Sequence, residues 1–117
     1  MPGASEVFRG GIVSYATGVK HDLLGVPAGP VVSEAAAAAM ARGAQGALKC
    51  DVALALTGVA GPTEQDGMPV GTLCVGLAIG DDVSTRTTRL PGQREQMRQM
   101  SVITALDVLR RALLAMP

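Results

Sequence analysis

Residues 34–56 constrain the fold more than any other part of the chain, because a small-residue stretch at helical spacing leads directly into a short, wholly apolar run. From Glu34 to Lys49 the positions Ala37, Met40, Ala41, Ala44 and Leu48 repeat with helical period. Ser33 is placed to cap that helix and Glu34 to sit in its positively polarised first turn, after an extended lead-in from Val31. Gly43 and Gly46 each cost about 1 kcal/mol against alanine, which suits a helix lying very close on a sheet. The run Asp51 to Leu56 is then expected to be a central strand covered on both faces. Phe8 and Tyr15 are the only aromatic residues, so the core must be built from Val, Leu, Ile, Ala and Met.

The remaining segments extend the same architecture. Val7 to Tyr15, with its Gly10-Gly11 pair, is expected to be a strand carrying a bulge or a close backbone approach. A short helix is expected from about Thr17 to Leu24, stopped by Gly25-Val26-Pro27. Val70 to Ile79 and Val83 to Arg89 predict two strands around Gly80-Asp81-Asp82, the second at an exposed edge. After Pro91-Gly92 a long helix is expected from about Gln93 to Leu114, with Val102, Leu106, Leu109 and Leu113 along one stripe. Asp107 is spaced to pair with Arg110 or Arg111. The fold class is α/β: one three-layer α/β/α domain over residues 1–117, with a mixed sheet.

Several function classes are disfavoured. Ten basic and ten acidic residues cancel, and the helix arginines are interleaved with acids, so neither nucleic acid nor a charged membrane is an expected partner. No apolar run of membrane-spanning length and no export signal is visible, so a cytoplasmic location is expected. Cys50 and Cys74 lack ligand spacing and His21 has no imidazole partner, which predicts buried free thiols, a solvated histidine, and no metal or other cofactor.

Chemistry is expected in two places. The loop Thr57-Gly58-Val59-Ala60-Gly61-Pro62 leaves the end of an apolar strand, where open α/β sheets gather ligand-binding groups, although glycine-rich turns are often only turns. Tyr15 and Lys20 place a phenol and an amine close together, and a lysine serves as a base only where burial or a neighbouring cation favours its neutral form. The residues alone leave open a surface lysine beside a half-buried tyrosine.

Phe8-Arg9-Gly10-Gly11-Ile12-Val13-Ser14-Tyr15, Lys20, Leu23-Leu24-Gly25-Val26-Pro27 and Val32-Ser33-Glu34 together resemble the carboxy-terminal domain of the CinA family. The resemblance continues through Leu56 to Pro62, Pro69-Val70-Gly71-Thr72 and Pro91-Gly92-Gln93-Arg94-Glu95. It implies a deamidase that hydrolyses the carboxamide of nicotinamide mononucleotide, with a serine nucleophile, a lysine base and a threonine nearby. Carried over residue by residue, Lys20 matches the lysine, Tyr15 the active-site tyrosine and Thr57 the threonine that opens the loop. Gly58 and Gly61 are then candidates to hold substrate through backbone N–H groups, and Arg94 to meet its phosphate.

The resemblance also implies a pyridine mononucleotide as the small-molecule partner and a homo-oligomer, with a dimer expected. It further implies an upstream strand, an SxTGG serine and a helix, none of which is found in these 117 residues. The chain as written is therefore expected to lack the nucleophile and to be inactive alone. The alternative is a catalytically silent nucleotide-binding module or a structural partner domain.

Overall fold

A computed structural model describes residues 2–116. Its elements run α1 (Ala4–Val7), α2 (Thr17–Asp22), α3 (Glu34–Leu48), β1 (Val52–Gly58), β2 (Thr72–Ile79), β3 (Asp82–Arg89) and α4 (Arg94–Leu114). The three strands form one sheet in the order β1-β2-β3, and both pairings are antiparallel. The expectation of a mixed sheet is corrected on this point; the α/β class and the helix layers on both faces stand.

Helix α3 begins as the sequence dictates. Ser33 Oγ accepts a hydrogen bond from the Ala36 amide at 3.0 Å, which satisfies one of the donors that every helix start leaves free. Its buried face, Ala36, Ala37, Met40 and Ala41, rests on the small side of the sheet. There the register sets Ala53 against Ala78, Ala55 against Gly76 and Thr57 against Cys74. A Cβ on Gly76 would lie 2.2 Å from the Ala37 carbonyl oxygen, so the helix touches the strand backbone itself. The opposite side carries the bulky members Leu54, Leu56, Leu73 and Val75, which pack on Met97, Ala105 and Val108 of α4.

Four expectations need correction. The segment Val7 to Tyr15 is not a strand: Ala4–Val7 forms one helical turn, and residues 8–15 follow without a ladder partner. A strand exists only through its neighbour, and a groove separates this segment from β1. β1 is an edge strand, and β2, buried at seven of its eight positions, is the one covered on both faces. The stripe Val102, Leu106, Leu113 of α4 is exposed, because the helix turns Met97 and Ala105 to the sheet instead. His21 is half-buried, with Nδ1 2.6 Å from the Val26 carbonyl oxygen.

Among details the sequence predicted, Asp107 pairs with both Arg110 and Arg111, each at 2.9 Å. Cys74 is a buried free thiol, and Cys50 is free but only half-buried.

Candidate functional site

A groove of about 1200 Å³ follows the free edge of β1. Residues 7–15 form one wall, the loop after β1 closes one end, and Leu106 and Leu109 of α4 lie along it. Tyr15, Lys20, Thr57, Gly58, Gly61 and Arg94 all line this one groove.

Each is positioned differently. Tyr15 is 96% exposed. Lys20, on the one-and-a-half-turn α2, is half-buried, and its Nζ donates to the Ser14 carbonyl, which ties the helix to the irregular segment. Thr57 is buried near the end of β1, and its Oγ1 donates to the Val31 carbonyl at 2.6 Å. Its proton is thus committed, and its lone pairs are what remain for a ligand.

Gly58 contributes backbone. Val59 directs both its N–H and its C=O toward the β2 side, to Thr72 at 2.9 Å and from Gly71 at 2.8 Å. Because backbone groups alternate in direction along a strand, those of Gly58 turn to the open edge, where the groove runs. Its N–H is a donor without a ladder partner, suited to an oxyanion or phosphate oxygen. Gly61 adopts φ 87, and a Cβ there would meet Val70 at 2.9 Å, so this position is closed to side chains. Arg94 donates from Nη2 to the Gly61 carbonyl at 2.8 Å and so joins the start of α4 to the loop.

No group of three His, Cys, Asp or Glu residues able to hold a metal occurs among the described residues. Asp66 was not among the residues that the sequence marked out. Its Oδ2 accepts from the amides of Val31 at 2.9 Å and Val32 at 3.1 Å. The available signal was the Asp66-Gly67 dipeptide, a strong marker of a tight two-residue turn.

The family profile of the CinA C-terminal domain matches residues 1–113. A CinA-like protein of Frankia casuarinae is 52% identical over 122 residues, covering 100% of this chain and 28% of its own. A CinA-like protein of Mycobacterium marinum is 46% identical over 121 residues, covering 96% of this chain and 28% of its own. The chain therefore spans little more than a quarter of these curated relatives. Among solved structures, a competence or damage-inducible protein from Enterobacter asburiae superposes with a TM-score of 0.89 at 28% identity, over 97% of this chain and 75% of that one. The competence damage-inducible protein A from Klebsiella pneumoniae gives 0.86 at 28% identity, over 92% and 70%. With nearly its whole length matched in sequence and in fold, the chain belongs to the CinA C-terminal domain family.

Proposed function

We propose that the groove is the substrate-facing part of an amide-hydrolysing site for a pyridine mononucleotide, nicotinamide mononucleotide being the first substrate to test. The observation that carries this reading is the meeting of Lys20, Tyr15, Thr57, Gly58, Gly61 and Arg94 on one groove.

The division of labour follows from the residue types. A serine hydroxyl adds to the carboxamide carbon and gives its proton to the Lys20 amine; the proton then passes to the departing nitrogen, which leaves as ammonia. Water next opens the acyl ester and yields the carboxylate. The Gly58 N–H lies on the open edge as a donor for the developing oxyanion. Thr57 accepts from the carboxamide nitrogen, since its own proton is on Val31. Tyr15 offers an exposed aromatic face and hydroxyl to the ring system. Arg94 and the Gly61 N–H are the groups suited to phosphate.

Among the described residues Lys20 Nζ has a backbone carbonyl as its hydrogen-bond partner, not a hydroxyl. The nucleophile in this reading comes from outside the 117 residues. The same observation favours a second reading, a module that binds the nucleotide without turning it over.

The test is ammonia release from nicotinamide mononucleotide by the protein at its full natural length and by the 117-residue chain. Release by the former alone is the expected result, with Lys20→Met lowering it by roughly 10²–10⁴-fold, the range for losing a general base. Equal turnover by both would assign the nucleophile to Thr57 or a bound water. Absence of release together with calorimetric binding would select the second reading, and absence of both would overturn the two.

A further inference from the structure

Residues 31 and 32, just ahead of α3, are held from two sides. The Val31 carbonyl accepts from Thr57 Oγ1, and the amides of Val31 and Val32 both donate to Asp66 Oδ2. Val31 and Val32 are buried with Val59 and Cys74, and Met68 and Val70 pack against them. Asp66 reaches this place across 35 residues of sequence, from the turn midway along the loop between β1 and β2.

The backbone at Asp66 is built for that reach. Asp66 and Gly67 have φ of 54 and 74, the left-handed pair of a tight turn. Gln65 and Met68 close it with reciprocal bonds of 3.1 and 2.8 Å. Immediately before the turn, Gly61, Thr63, Glu64 and Gln65 line the groove. The carboxylate thus fixes the tip of the loop that forms the groove's end wall, while Thr57 and Arg94 fix its base.

We propose that Asp66 is a positioning residue: a clasp that sets where the loop stands over the groove, and with it the affinity for the nucleotide. The proposal rests on the function given above. It separates loop placement from chemistry, because Asp66 acts through two backbone amides and Lys20 is held elsewhere, on Ser14.

The experiment compares Asp66→Asn and Asp66→Gly in the protein at full natural length. Asparagine keeps a side-chain oxygen that accepts from both amides and tolerates the left-handed backbone; glycine keeps the backbone and removes the acceptor. With nicotinamide mononucleotide, Asp66→Gly is expected to raise KM on the order of tenfold, with kcat within about threefold, while Asp66→Asn stays within about threefold on both. Hydrogen exchange should quicken in Asp66→Gly at the amides of Val31, Val32 and residues 63–68, and stay unchanged in β2. An unmoved KM in Asp66→Gly, equal damage by both variants, or exchange raised uniformly across the molecule would each overturn the clasp. If wild-type protein releases no ammonia, the proposed function falls, and the clasp is then judged on the exchange pattern alone.

Discussion

Gly43 and Gly46 stand one helical turn apart on α3 and meet different surroundings. A Cβ on Gly43 would lie 2.1 Å from the Leu24 carbonyl oxygen, whereas one on Gly46 meets nothing within 4 Å. Gly46→Ala is therefore expected to stabilise by about 0.4–1 kcal/mol, and Gly43→Ala to destabilise by about 1–3 kcal/mol as backbone is pushed apart. Urea unfolding of the two variants checks this, and effects of the same sign would refute it. Nothing within α3 itself tells the two glycines apart, because the contact that distinguishes them comes from Leu24, in the turn well upstream of the helix. Thr57 is a similar case. Its place at the head of the loop after the apolar strand was legible, but its bond to Val31 was not, since that partner is 26 residues away. Thr57→Val leaves the Val31 carbonyl without its hydroxyl donor and should cost about 1–3 kcal/mol, with Thr57→Ser close to wild type. A Thr57→Val chain as stable as wild type in thermal unfolding would show that the bond carries no stability.

At the scale of elements, α3 is joined to the exposed strand β3 by one carboxylate. Glu34 accepts from the hydroxyls of Thr85 and Thr87, each at 2.6 Å. These two donors favour the charged form and hold its carboxyl below the usual 4.5. A depressed folded value means that the contribution is fully present above about pH 4.5 and is lost as pH falls through the folded value. The stability difference between wild type and Glu34→Gln should therefore be constant near neutrality and shrink below that point. A difference independent of pH down to 3 would remove this staple from the account. The exposed edge character of β3 was legible in the sequence, and periodicity likewise located α3, β2 and α4. Residues 7–15 were misread for a physical reason: β-like composition shows that a segment could pair, and only the surrounding fold decides whether a partner lies beside it. The leucine stripe of α4 failed similarly, because period 3.6 identifies an apolar face without saying what covers it. The face that meets the sheet instead includes Met97, Ala105 and Val108, a narrower and less hydrophobic series.

For the whole molecule these two departures meet at the same groove. The free edge of β1 presents unpaired backbone groups, and α4 leaves Val102, Ile103 and Leu106 exposed at 57%, 61% and 55%. Phe8 and Val13 are exposed on the segment that forms the groove's other wall. An open strand edge is a template for pairing with another chain, and contiguous apolar surface favours the same outcome. The 117-residue chain in isolation is therefore expected to self-associate with rising concentration. Sedimentation velocity should show the weight-average mass climbing above 11.9 kDa. Ile103→Lys with Leu106→Lys places one charge on the groove, at Leu106, and a second about one turn before it on the exposed surface of α4, so folding should survive and association should fall by about tenfold or more, the effect of some 1.4 kcal/mol. A second variant, Leu114→Lys, replaces a still more exposed apolar residue at the C-terminal end of the same helix and serves as the control for a charge added away from the groove. A chain that remains monomeric at all concentrations would show that the groove walls shield the edge, and equal loss of association in both variants would place the contact elsewhere on α4.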